Sequence, residues 1–204
     1  MNWISASTTA QDGDLILLIG LKQRYFIFPL STGGIFQTHR GVINHNEIIG
    51  QTWGSEIQSH NGSPFYLFQP GIEELIKTTK RNTQIMYAKD IGYILLKLNI
   101  VNGTKVIEAG IGSGSLTQVI AAIIGNEGHL YTYEKRSETQ NLAKKNLKRL
   151  SIQNRVSFIE KDIGNGFDQN SIDSIFLDVP NPYDYLDNVK KALVPGGFFG
   201  CLLP

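Results

Sequence analysis

The chain has 204 residues and a formal net charge of +1, with 41% hydrophobic and 18% charged residues. That is enough material for one α/β domain plus a small appendage, and its apolar runs, such as "VIAAII" at 119–124, are too short to span a bilayer. One cysteine, Cys201, excludes an internal disulfide, and His39, His45, His60 and His129 have no metal-ligand spacing, so no metal is expected. The first residues carry neither the basic flank nor the apolar stretch of a secretory signal, which makes the cytoplasm the expected compartment.

From Asp14 to about Phe68, short apolar runs ("LILLIG", "RYFIFPL", "GIFQTH", "PFYLFQP") alternate with Gly, Asn and Ser turns, which predicts a small β-rich module over residues 1–69. The texture then changes. "GIEELIKTTKR" places Ile72, Leu75 and Ile76 on one helical face, and "DIGYILLKL" repeats the signal behind Asp90, the expected N-cap. Residues 70–204 form the second predicted domain. Two basic clusters stand out, "KKNLKR" at Lys144–Arg149 and the trio Lys77, Lys80 and Arg81. Each is read first as a solvated face, with a phosphate contact as the alternative.

Beyond Lys105, strands and helices alternate. The strands are "KVIEAG", "HLYTYE", "RVSFIE", "SIFLD" and "FFGCLL", with helices at 116–124, 137–150 and 185–193. This alternation predicts a parallel sheet covered by helices. Between the first strand and its helix lies "EAGIGSGSLT", where Gly110, Gly112 and Gly114 would let a ligand approach backbone N–H groups at a helix N-terminus; tight strand-to-helix packing is the simpler alternative. Neither register of these glycines satisfies G-x-G-x-x-G/A, which disfavours a nicotinamide oxidoreductase. Glu134 ends the second strand, where a carboxylate can accept the hydroxyls of a ribose. Asp162 follows the third strand, and "FLDVPNPYDYL" follows the fourth, presenting Asp178 on a backbone stiffened by Pro180 and Pro182.

The spacing E-x-G-x-G-x-G from Glu108 resembles the first motif of class I S-adenosyl-L-methionine-dependent methyltransferases. The array D-x-P-x-P-Y at Asp178–Tyr183 resembles the D-L-P-x-P-W segment of the TrmI-type tRNA (adenine-N1)-methyltransferases. "RNTQIMYAKDIGYIL" and "GGIFQTHRGVINHNEIIG" are similar to that family's pre-core segment and N-terminal module, so the likeness runs over nearly the whole chain from about Asp12. The resemblance implies a Rossmann-like α/β methyltransferase sheet with a small N-terminal β module. Because family members continue past the fifth strand, it also implies that C-terminal strands are missing.

By the same resemblance the cofactor is S-adenosyl-L-methionine, held by Gln84, Met86, Glu108, Gly110, Gly112, Gly114, Ser115, Leu116, Glu134 and Asp162. Asp178 is the expected catalytic residue. Tyr183, in place of the family's Trp, would stack on the base. The implied reaction methylates adenine N1 at position 58 of the tRNA T loop, with position 57 left open, in a homo-oligomer, by family likeness a tetramer. A class I methyltransferase acting on a protein or small molecule, and a non-catalytic tRNA-binding partner subunit, remain the alternatives.

Overall fold

A computed structural model describes residues 3–81 and 86–203. The chain divides into two compact units, Met1–Thr78 and Thr79–Pro204. The division falls later than the change of texture at residue 70 predicts, because the helix that follows this change belongs to the first unit.

In the first unit, β1 (Leu15–Gly20), β2 (Arg24–Pro29), β5 (Glu56–Gln58) and β6 (Pro64–Phe68) form an antiparallel sheet in the order β2-β1-β6-β5. A hairpin, β3 (Ile35–Thr38) with β4 (Gly41–Asn44), makes a second small sheet, followed by the single turn α1 (His45–Ile48). Leu15–Leu18 are all buried on the interior strand β1, whereas β2, at an edge, has no fully buried residue and the interior strand β6 alternates. Ile16, Leu18, Leu30, Ile43, Phe65 and Leu67 form the core, with Phe28 stacked on Phe36 at 4.5 Å between centroids. Helix α2 (Ile72–Lys77) buries Leu75 and Ile76 and exposes a Glu73–Lys77 ion pair.

The second unit opens with α3 (Ala88–Lys97), which buries Ile91 and Ile94. Asp90 is not its N-cap, as expected, but a first-turn residue; Tyr87 occupies the cap without a side-chain hydrogen bond. Asp90 instead places negative charge near the positive end of the helix. There follow β7 (Lys105–Ala109), α4 (Ser115–Ile123), β8 (His129–Glu134), α5 (Ser137–Lys148), β9 (Val156–Glu160), β10 (Ile172–Leu177), α6 (Leu186–Ala192) and β11 (Leu193–Cys201). All five strands are parallel, in the order β11-β10-β7-β8-β9.

In that order the connection from β7 runs outward to β8 and β9, and the chain then returns to the other side of β7 as β10. Ligands of open α/β sheets bind outside the carboxyl ends of the strands at such a switch of direction. Ile107, Ala109, Tyr133, Ile175 and Leu177 fill the core beneath it.

The central strand carries an acid deep in this unit. Glu108, on the central strand, is 1% exposed and accepts a hydrogen bond from the Thr117 hydroxyl of α4 at 2.7 Å, with Thr132 opposite it on β8. Burial pushes its carboxyl up to about 8. The hydroxyls of Thr117 and Thr132 oppose that shift, and the charge of Asp178 adds to it.

A raised acid reverses the usual pH dependence. Above its ordinary value of 4.5 the unfolded chain ionises Glu108 while the folded chain keeps the proton, so stability falls as pH rises toward about 8. The contribution is at most about 1.4 kcal/mol per pH unit. Denaturant unfolding of the natural chain and of Glu108→Gln, compared between about pH 5 and pH 8, is expected to show the gap moving in favour of the variant as pH rises. A constant gap would mean that Glu108 stays ionised in the fold.

Candidate functional site

The strands of the second unit end together around a cavity of about 270 Å³. Its wall takes Ala109 and Gly110 from the end of β7, Tyr133–Arg136 from β8, Lys161–Ile163 from β9, Asp178–Pro180 from β10, and Tyr185 from the turn that follows. Four residues singled out in the sequence therefore meet here: Gly110, Glu134, Asp162 and Asp178.

The three glycines prove to have separate reasons. Gly110 has φ +89°, and a Cβ on it would run into the backbone carbonyl of Asp178. Two hydrogen bonds fix this crossing: Asp178 N–H donates to Ala109 O at 2.8 Å, and Gly110 N–H to Tyr133 O at 3.1 Å. Gly114, the N-cap of α4 at φ +79°, would press a Cβ against Ala143 of α5 at 3.0 Å. Gly112, at φ +52°, has open space where its side chain would be. Two glycines thus answer to the protein's own packing, and only Gly112 leaves room beside the loop. Ser115 and Leu116 are buried at the start of α4, with the hydroxyls of Ser113 and Ser115 3.1 Å apart. Neither these two nor Glu108, Gly112 and Gly114 lie on the cavity wall.

Glu134 is buried at the end of β8 and is held by one neighbour. Its Oε1 accepts from Arg136 N–H at 3.0 Å and from Arg136 Nε at 3.1 Å, while Oε2 lies 3.4 Å from the second guanidinium arm. This bond raises the Arg136 guanidinium further. Asp162 caps the 3₁₀ turn Ile163–Asn165, its Oδ1 accepting from Gly164 N–H at 2.8 Å. Asp178 is exposed at the wall, but the packing on its inner side pushes its carboxyl above the ordinary Asp value.

Tyr183 does not line the cavity. It is 62% exposed, so it is not a core residue, and its hydroxyl donates to Asn181 Oδ1 at 2.9 Å. Met86 is half-buried ahead of α3 and is absent from the wall, and Gln84 lies outside the described residues. Several wall residues carried no signal in the sequence. Tyr133 accepts through its hydroxyl from Asp168 N–H at 2.7 Å and donates to Gln169, with the Phe167 ring edge-on to it. Lys161 reaches Asp168 at 2.6 Å. Tyr185 could have been suspected only from its place two residues beyond Tyr183.

The residues present fit an adenosyl group. A buried carboxylate with both oxygens oriented closes β8, a second carboxylate closes β9, and no Cβ intrudes at Gly110. Among the described residues no group of three or more His, Cys, Asp or Glu could hold a metal ion, and no helix is long and apolar enough to cross a membrane.

Comparison with known proteins agrees with this topology. Residues 64–204 match the family described as tRNA methyltransferase complex GCD14 subunit, and residues 10–57 match the TrmI-like N-terminal family. The tRNA (adenine(58)-N(1))-methyltransferase catalytic subunit of Dictyostelium discoideum is 30% identical over 201 residues, covering 95% of this chain and 64% of that protein. The chain thus spans a little under two thirds of that relative's length. The crystal structure of tRNA (m1A58) methyltransferase TrmI from Aquifex aeolicus is 33% identical with a TM-score of 0.76, over 96% of this chain and 76% of that one. A Thermotoga maritima structure described as a SAM-dependent O-methyltransferase is 35% identical with a TM-score of 0.87, over 98% and 75%. The fold is that of the class I SAM-dependent methyltransferases. Matched over most of its length, the chain belongs to the GCD14-subunit family of tRNA methyltransferases.

Proposed function

We propose that this chain methylates N1 of adenine 58 in the T loop of tRNA, with S-adenosyl-L-methionine as donor. The observation that carries the reading is the partly desolvated carboxyl of Asp178 on the same wall as Glu134 and Asp162, at the switch of strand direction. In this reading the chain acts in the cytoplasm and, by the same family likeness, as a homotetramer, with residues 1–69 as the module that handles tRNA and assembly and residues 70–204 as the methyltransferase domain.

Bound S-adenosyl-L-methionine supplies a methyl group that its sulfonium already makes electrophilic. The residues of the chain have to bind, orient and exclude water. Glu134, fixed by Arg136, accepts the ribose hydroxyls. The Asp162 oxygen not used by Gly164 would accept from the adenine amino group of the cofactor. Gly112 leaves space beside the methionine part, while Gly110 and Gly114 hold the loop in shape. Glu108, Ser115 and Leu116 act from beneath that loop, and by the same family likeness Gln84 and Met86 belong to the cofactor-binding set.

The target base becomes cationic as N1 gains its methyl group. A carboxylate beside its N6 amino group therefore attracts it more strongly in the transition state than in the ground state. Asp178 is that carboxylate. Because a T-loop adenine is stacked within folded tRNA, it must be extruded first, and the exposed ring of Tyr183 offers it a stacking surface.

Asp178→Asn is expected to keep affinity for S-adenosylhomocysteine while turnover falls roughly 10²–10³-fold, the loss typical of one transition-state partner. Since the natural carboxyl must be ionised to act, the rate should rise with pH through its raised pKa, and that limb should vanish in the variant. Equal loss of affinity and turnover would remove Asp178 from this role.

The reaction itself is tested by incubating the protein with S-adenosyl-L-methionine and unmodified tRNA, then digesting the RNA for nucleoside mass spectrometry. The control is a transcript carrying guanosine at the target position. Product is expected as 1-methyladenosine, and only from the natural transcript. A 2′-O-methylated nucleoside would instead favour the oxygen acceptor suggested by the Thermotoga relative's description.

A further inference from the structure

Two basic segments that stand apart in the sequence, Lys80–Arg81 and the lysines of α5, come together within the second unit. Asn146 of α5, 4% exposed, donates through Nδ2 to Lys80 O at 2.8 Å and to Ser113 O at 2.9 Å. One turn further on, Arg149 lies 3.5 Å from the Thr79 hydroxyl, which also accepts from Gln118 Nε2 at 3.0 Å. Residues 79–81 are thereby tied along the C-terminal half of α5. Lys80 and Arg81 come beside the helix that carries Lys145 and Lys148, and all four side chains are exposed.

These four cations enter no ion pair among the described residues, whose salt bridges are Lys77–Glu73, Arg136–Glu134 and Lys161–Asp168. A solvated helix face usually interleaves acids with its lysines. Here no acidic residue occurs between Glu138 and Glu160, nor between Glu74 and Asp90. Lys144 points elsewhere, donating to Gln140 at 2.6 Å and lying over the Phe158 ring at 5.3 Å. Glu138 shares the arc of α5 but sits about two turns back, in the first turn. In a chain of net charge +1, a four-cation patch held in place by a buried amide is a concentrated local field.

We propose that Lys80, Arg81, Lys145 and Lys148 form a docking surface for the phosphate backbone of the RNA substrate, an inference that rests on the tRNA-methylating reading above. Exposed lysines on flexible stems act as point charges toward phosphates, so this surface contributes affinity and position and carries no base specificity.

The test is tRNA binding by fluorescence anisotropy over a series of salt concentrations, for the natural chain, Lys145→Gln/Lys148→Gln, and Lys190→Gln/Lys191→Gln as an equal charge change on α6. In the first variant affinity is expected to fall on the order of tenfold at low salt, with the slope of log K against log salt shallower by about 0.9 for each phosphate that is no longer neutralised. S-adenosylhomocysteine affinity and circular dichroism should match the natural chain, and the α6 variant should bind tRNA as the natural chain does. Equal loss in both variants would reduce the effect to net charge and overturn the surface. Unchanged affinity in the α5 variant, while the natural chain binds and methylates tRNA, would overturn the surface and leave the methylation reading standing. A natural chain that binds no tRNA at low salt would overturn both.

Discussion

The close passage of two backbones at the end of the central strands sets the rest of the second unit. Asp178 N–H is bonded to Ala109 O, and the Asp178 carbonyl occupies the space a Cβ on Gly110 would need. This contact joins β10 to β7 where the chain reverses its direction of winding. Val179 and Pro180, which follow it, line the same cavity as Asp178, Glu134 and Asp162. Any side chain at position 110 would spread the strands and separate those groups.

The electrostatics of the site follow from how each acid is held. Glu134 is buried but balanced by a two-armed contact with Arg136, and Asp162 is balanced by a backbone N–H, so each is oriented before any ligand arrives. Asp178 has no such partner among the described residues, and partial desolvation raises it. Glu108, deeper still, is compensated only by hydroxyls and retains its proton near neutral pH. Burial thus raises both Glu108 and Asp178, and of these two only Asp178 faces the cavity.

Much of this was legible in the sequence. The β/α alternation after Lys105 pointed to the five strands through short β-rich runs separated by helical stretches, and Asp178 was marked by its prolines. Other features were not legible, for physical reasons. Glycine spacing does not say what a missing Cβ avoids: Gly110 faces the protein's own carbonyl and Gly114 faces Ala143, contacts made across the fold. Asp90 reads as a cap because the apolar period starts after it, yet α3 begins two residues earlier, behind Tyr87, whose side chain makes no capping hydrogen bond. Tyr133, Lys161 and Tyr185 reach the cavity through strand register and loop closure, which no local pattern encodes. The joining of Lys80 to α5 depends on the buried amide of Asn146, a side chain unremarkable among the lysines around it.

The most direct measurement is a crystal structure of the chain with S-adenosylhomocysteine. The account requires the ribose on Glu134, the adenine beside Asp162, and the sulfur directed toward Asp178, with the Gly110–Asp178 crossing unchanged. A ligand bound outside this cavity, or lying in it with the adenine against Asp178, would contradict the assignment of the site.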